Sequence, residues 1–308
     1  MSEQKIPFLM VSAALFWSGA FIAGKLSIPE FPVFSLTFFR FLIALPFIFF
    51  ILSRQSDNAL LPSQQQWPPL ILLGVVGTFL YHALFFSCLK YTTAINSSLI
   101  GASLPMLTTL LSIVFVGEQV TLPRAAGILA AFIGITLVVT DGDWHVLTRL
   151  DFNTGDLMMF AAVLAWAVYS ILSRVFMTRY QLSPVMLTAY TFLVCTALCL
   201  PLAVPELATG FLANVSLTGW LAVIYMALFA SVLGYWFQLI AVEKIGASRT
   251  SVFVNLVPIF TIIQSSLVLH EPVGFFKLAG AAVIIAGVYI ATRPAASATV
   301  IISAADSK

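Results

Sequence analysis

Charge is what this sequence has least of. Asp, Glu, Lys and Arg make up only 8% of its 308 residues, against 61% hydrophobic residues and a mean hydropathy of +1.05. A soluble domain carries about 25% charge, so a surface this poor in ions excludes a water-soluble globular protein and makes lipid the solvent. The net charge of +2 is spread over many loops with no basic patch, which argues against a nucleic-acid partner. The phosphate-binding pattern GxxxxGK followed by Ser or Thr is missing, so no ATP motor resides in this chain. No HExxH or CxxC cluster suggests a metal, and no nucleophile–base constellation suggests an enzyme. No cofactor is implied. Cys88, Cys195 and Cys199 all fall in apolar stretches, where they behave as small hydrophobes rather than as disulfides or metal ligands.

What the sequence has in excess is long hydrophobic runs. They fall at about 7–26, 33–53, 69–88, 94–116, 123–140, 155–176, 184–203, 217–241, 247–269 and 274–292. A helix needs about 20 apolar residues to cross the hydrocarbon core. In lipid the backbone must bond within its own segment, so these runs are predicted to be ten transmembrane helices. The first run is too long for a signal peptide and has Trp17 and Lys25 where cleavage would fall, so it reads as a retained helix. Of the 14 Lys and Arg residues, nine fall on the side of the N-terminus and five on the other. That bias puts both termini in the cytoplasm, consistent with an even number of helices.

Self-similarity is the sharpest pattern. Pro105 and Pro258 lie 153 residues apart, as do Glu118 and Glu271, Gly127 and Gly280, and Gly134 and Gly287. Nearer the start of each half the offset is 149: Trp17 matches Trp166, and Lys25 matches Arg174. Residues 1–146 are therefore read as one five-helix repeat, 147–296 as a second, and 297–308 as a tail. An odd number of helices per repeat turns the second copy over in the membrane. The expected fold is an all-α integral membrane protein of two inverted repeats, with a central cavity between helices 1–4 and 6–9.

These residues resemble the EamA family of the drug/metabolite transporter superfamily. Trp17-Ser18-Gly19-Ala20-Phe21 with Lys25, and Arg40-Phe41 in the second run, look like the opening of its domains. Ala94 through Pro105 to Gly117-Glu118, Gly127 and Gly134 looks like their closing half, repeated by Ala247 through Pro258, Glu271, Gly280 and Gly287. The resemblance covers nearly the whole chain. It implies ten helices, an inner-membrane location and export of amino acids or related metabolites, without fixing the substrate.

Ionisable and polar groups at membrane depth are costly and each invites a role. Arg40 lies about 10 Å into its helix at 1.5 Å per residue. It is a candidate anchor for a carboxylate, or a gate, against the plainer reading of a snorkelling side chain. Trp17, Tyr81, His82, Trp166, Tyr169 and Tyr235 form a candidate aromatic pocket, against plain packing; His82 and Tyr235 are themselves 153 apart. Lys25 and Arg174 read as interfacial anchors. Asn255, Gln238 and Gln264 are buried amides, of which Asn255, one turn before Pro258, is the stronger candidate for substrate. Pro105 and Pro258 each disturb the preceding turn, giving either a hinge or a static kink. Ser97, Ser98, Ser103, Ser248 and Ser251 are small enough for close packing or for lining a path. Gly127 with Gly134, and Gly280 with Gly287, form small-residue packing seams. Glu118 and Glu271 read as turn or cap residues. Asp156 is the carboxylate nearest a span other than those at helix junctions.

The expected function is a secondary transporter, an exporter of amino acids or related small metabolites working by alternating access. A drug or organic-cation carrier, a nucleotide-sugar carrier, a channel and a membrane scaffold are weaker alternatives. A nucleotide sugar would need more than the one buried cation, Arg40. The expected partners are a small-molecule substrate and the lipid bilayer. The energy source is left open between protons as coupling ion and facilitated diffusion, and the oligomeric state is left open too.

Overall fold

The structure is a computed structural model that describes residues 5–54, 60–116, 122–143, 145–146, 152–246, 250 and 252–292. Among the described residues every regular element is helical. The helices are α1 (Ile6–Ser27), α2 (Val33–Ser53), α3 (Trp67–Cys88), α4 (Ala94–Gly101 and Leu104–Val116), α5 (Leu122–Thr140), α6 (Thr154–Tyr180), α7 (Pro184–Leu207), α8 (Leu217–Ile245), α9 (Leu256–Val268) and α10 (Phe275–Thr292). Among the described residues seven helices are long and apolar enough to cross a membrane: α1, α2, α3, the Ala94–Leu111 stretch of α4, α6, α7 and α8. α5, α9 and α10 contribute shorter apolar stretches. The chain is a multi-pass membrane protein.

Local chemistry starts these helices where the sequence changes character. Thr93, Asn153, Ser183 and Ser216 each accept a hydrogen bond from a backbone N–H in the first turn that follows. Such caps satisfy donors that a helix N-terminus otherwise leaves open. Carboxylates complete the job from other parts of the chain. Glu271 accepts from the N–H groups of Ala94 (2.9 Å) and Ile95 (3.1 Å) at the start of α4. Glu206 accepts from Ser35 N–H (2.6 Å) at the start of α2, and Glu30 from the N–H and hydroxyl of Ser216 at the start of α8. Negative charge at a helix N-terminus is favourable. Glu271 is thus a cap, but for a distant helix rather than its own turn. Its counterpart Glu118 lies outside the described residues.

The structure gives the Lys25 ammonium definite partners at the end of α3. The ammonium donates to the carbonyls of Leu89 and Thr92, both at 2.7 Å, and so closes the C-terminal end of α3. The Arg174 guanidinium lies beside Gly246, the residue that ends α8 with φ of +86°. A cation at a helix C-terminus satisfies carbonyls that have no donor of their own.

α5 and α10 pack backbone to backbone. A Cβ at Gly134 would meet the Gly280 carbonyl oxygen at 2.9 Å, and one at Gly287 would meet the Gly127 carbonyl at 2.7 Å. Residue numbers fall along one helix as they rise along the other, so the two run antiparallel. The small residues permit an approach that no larger side chain would.

Two of the runs expected as plain helices are not plain. α3 widens into a π-helical stretch at Gly74–Leu80, and α8 does so at Met226–Leu233. Moved by 153 residues, the first stretch falls on 227–233, inside the second. The expected run 94–116 also breaks, at Ala102 and Ser103, so that Pro105 stands in the first turn of a new helical segment. A 3₁₀ turn at Val252–Asn255 occupies the matching place before Pro258. Proline has no N–H and is tolerated in a first turn, where none is needed. Each proline thus follows an irregular turn rather than kinking a continuous helix.

Candidate substrate pocket

α1, α2, α3, α4, α6, α8 and α9 meet around one cavity of about 70 Å³. Its wall is made of Trp17, Ala20 and Phe21 from α1, Arg40 from α2, and Tyr81, His82 and Phe85 from α3. Ser98, Gly101 and Leu104 come from α4, Met159, Val163 and Trp166 from α6, Tyr235 from α8, and Val254 and Val257 from the start of α9. Several lining residues are counterparts at the 153 offset: His82 and Tyr235, Gly101 and Val254, Leu104 and Val257. The irregular turns before the prolines therefore face the cavity. Pro105 and Pro258 have no N–H to offer the carbonyls of Gly101 and Val254.

Trp166 is the hub of the aromatic wall. Its ring lies 4.6 Å from Tyr81, 4.9 Å from Tyr235 and 6.4 Å from Trp17, centroid to centroid, the last two edge-on. Such tilted and T-shaped pairs suit the ring quadrupole. The π-helical stretch of α8 holds Trp17, whose indole N–H donates to the Ala230 carbonyl at 3.1 Å. Gly234 leaves the room for it, since a Cβ there would meet the indole nitrogen at 2.6 Å. In the other half the Tyr169 ring lies against Gly77, inside the π-helical stretch of α3.

Arg40 is 3% exposed. Its Nε donates to Ser231 Oγ at 2.7 Å, again within the π-helical stretch of α8. The guanidinium carbon lies 5.5 Å from the Phe41 ring centre and 5.7 Å from that of Phe86. Among the described residues it makes no other hydrogen bond, and no carboxylate lines the cavity. Beside it, His82 stacks edge-on against Phe41 at 4.8 Å and places Nδ1 2.7 Å from the Thr78 carbonyl oxygen. A carbonyl oxygen only accepts, so Nδ1 carries a proton and Nε2 is left to act as an acceptor when the ring is neutral.

Of the sequence candidates, Trp17, Arg40, Tyr81, His82, Trp166 and Tyr235 share this one cavity. Tyr169 does not line it; fully buried, it backs the wall, 5.3 Å from Trp166. Asn255 sits between two lining residues, buried, with its Oδ1 without a hydrogen-bond partner among the described residues. Tyr235 Oη and Gln238 Oε1 are also buried and without a partner there. Gln264 instead ties α9 to α1 through Ser18 Oγ at 2.8 Å. Ser98 and Ser103 donate back to the Ile95 and Ile100 carbonyls, and of these two only Ser98 lines the cavity. Ser248 and Ser251 lie outside the described residues. Asp156 is elsewhere, buried at the start of α6, where Thr92 Oγ1 donates to it at 2.5 Å.

Sequence reasoning missed Ser231 and the two carbonyls that seat Trp17 and His82. A signal for the first was present. Ser231 and Thr78 are 153 apart, a hydroxyl in the same place in each half. The widened turns themselves left no mark in the hydrophobic pattern.

The helices and this cavity define a class: a polytopic α-helical membrane protein whose two sequence halves both furnish the wall of one pocket. Residues 4–140 and 153–293 each match the EamA-like transporter family, and the chain belongs to that family, within the drug/metabolite transporter superfamily. It is 32% identical over 292 residues to the uncharacterized transporter YyaM of Bacillus subtilis (strain 168), covering 95% of each chain. An uncharacterized transporter of Archaeoglobus fulgidus is also 32% identical, over 94% of this chain and 98% of its own. A probable terminal-alkyne amino-acid exporter of Streptantibioticus cattleyicolor is 24% identical over 95% of both chains. A protein crystal structure at 22% identity shares the fold, with a TM-score of 0.63 over 94% of this chain and 97% of the other.

Proposed function

We propose that this protein is a secondary transporter of the inner membrane, exporting amino acids or related small metabolites by alternating access. In this reading ten helices form two inverted repeats, 1–146 and 147–296, with the tail 297–308 and the N-terminus both cytoplasmic. The antiparallel packing of α5 against α10 supports the inversion, because Gly127 and Gly134 are the sequence counterparts of Gly280 and Gly287. The single observation that carries the function is the cavity, built from both halves around one buried cation and six aromatic rings besides His82. A cavity of about 70 Å³ has room for a handful of waters at roughly 10–15 Å³ each, so larger cargo requires the halves to part. Rocking of α1–α4 against α6–α9 does that while the irregular turns before Pro105 and Pro258 act as hinges. Trp17, Tyr81, Trp166 and Tyr235 supply an apolar, adaptable wall with Tyr169 behind it, His82 and Asn255 supply acceptors, and Arg40 holds a carboxylate. The similarity to a probable amino-acid exporter points the same way. The pocket has no carboxylate for an organic cation and one guanidinium where a nucleotide sugar needs several. The relatives' names and the lack of a nucleophile–base constellation in the sequence favour transport over catalysis.

Counterflow in proteoliposomes tests this. Preloaded unlabelled amino acid should drive saturable entry of labelled amino acid, and Arg40→Leu should reduce that flux at least a hundredfold with the folded yield unchanged. Flux that rises linearly with concentration would point to a channel, and equal flux in Arg40→Leu would remove the pocket from the path.

A further inference from the structure

The pocket also carries an unbalanced charge, and its sign says what the cargo must bring. Arg40 keeps its proton under any condition a protein meets, so the guanidinium is a fixed positive charge. The chain has 12 Asp and Glu residues, and none lies in the middle of an apolar run. The seven that are described all lie off the cavity wall, and three of them, Glu30, Glu206 and Glu271, are spent on helix N-termini. Ser231 and two phenylalanine rings touch the guanidinium, and none of them carries charge. A buried ion without a counterion is strongly unfavourable, which makes the counterion part of whatever fills the pocket.

The acceptors left to an ammonium, such as His82 Nε2 and Asn255 Oδ1, are neutral. The Ala230 carbonyl accepts from Trp17 and the Thr78 carbonyl is bonded to His82. An ammonium placed among the rings would stand near Arg40, with like charges in a medium that screens them little. A zwitterion therefore leaves the filled pocket with a net charge of one, and a monoanion brings it to zero. We propose that the cargo is a monocarboxylate with an apolar or aromatic body and no charged amine. This rests on the reading of the cavity as the transport site and, within amino acids and related small metabolites, selects amine-free carboxylates over the amino acids themselves. The carboxylate meets the terminal nitrogens of Arg40 as a two-pronged pair, and the body packs against Trp166, Tyr81 and Tyr235.

Three probes that share one phenyl ring, with their charged groups attached at the second carbon from it, separate the possibilities: 3-phenylpropionate, phenylalanine and phenethylamine. Melting of the purified full-length protein is followed with each, at constant ionic strength set with sodium chloride. The expected result is at least tenfold tighter apparent binding of 3-phenylpropionate than of phenylalanine, no effect of phenethylamine, and loss of the preference in Arg40→Gln. Should Arg40→Gln fail to fold, Arg40→Lys keeps the charge without the fork and is expected to weaken 3-phenylpropionate while preserving the order. Phenylalanine binding as tightly as 3-phenylpropionate, and doing so through Arg40, overturns the charge argument and leaves the site standing. Binding that ignores Arg40, or no binding by any of the three, overturns both. Equal protection by sodium chloride alone overturns the need for an apolar body.

Discussion

The two halves of this protein share a frame but not a charge. Trp17 has Trp166, Lys25 has Arg174, Thr78 has Ser231, and the π-helical stretch of α3 has that of α8. Around Arg40 the match fails. The string Leu36-Thr37-Phe38-Phe39-Arg40-Phe41 in α2 has its likeness in Leu187-Thr188-Ala189-Tyr190-Thr191-Phe192 in α7, and the residue facing Arg40 in that alignment is Thr191. Thr191 is fully buried and donates to the Thr188 carbonyl at 3.1 Å. The duplicated features are those any helical frame needs: caps, close packing, aromatic wedges. The unduplicated one is the cation that no helix-packing argument requires. A symmetric wall with one off-axis charge holds a ligand in one orientation, which is what a site for a small polar-ended cargo needs.

Substitutions separate frame from charge. The largest effect is expected at the α5–α10 seam. Gly134→Leu forces a side chain into the backbone of Gly280 and Ile284, and overpacking costs about 1–3 kcal/mol or more. Melting temperature and folded yield should fall sharply, with substrate preference unaltered in whatever folds. Next comes Ser231→Ala, which strips Arg40 of the one hydrogen bond it makes among the described residues. Bonds to charged groups are worth about 1.5–3 kcal/mol, and chemical denaturation should register a loss in that range together with weaker carboxylate transport. Glu271→Gln removes the charge that caps α4 and should cost about 1 kcal/mol in the same assay. The smallest change is expected at the counterpart of Ser231. Thr78 Oγ1 is buried without a partner among the described residues, so Thr78→Val should leave stability within about 0.5 kcal/mol of wild type, or raise it. Equal losses at Thr78 and Ser231 would mean that the two halves are energetically alike and that Arg40 is no exception.

Much of this was legible in the sequence because lipid leaves few choices. Backbone satisfaction fixes the helices, and the hydrophobic runs locate most of them to within a few residues; α6 runs on to Tyr180 and α8 to Ile245, past their expected ends. Equal offsets between rare residues exposed the repeat. Trp17, Tyr81 and Trp166 could be nominated because polar-edged rings in mid-helix need a reason. What stayed hidden depends on distance rather than pattern. Lys25 looked like a surface anchor because nothing local shows that the carbonyls of Leu89 and Thr92 come within its reach. Tyr169 and Tyr235 read alike in sequence, yet a few ångströms put one behind the wall and the other in it. The π-helical stretches cost no hydrophobic residue, and in a run that is apolar all round their wider turn leaves no trace in the pattern.

The glycine seam has one more consequence. Gly134 meets Gly280 and Gly127 meets Gly287, so exchanging each residue for its counterpart in the other half turns either contact into the other. That reciprocity is the mark of an isologous interface, the kind formed when two copies of one chain meet across a two-fold axis. Here the two copies are joined in a single polypeptide, and the join has freed each to diverge. A cation that in a dimer would necessarily appear twice is free to appear once.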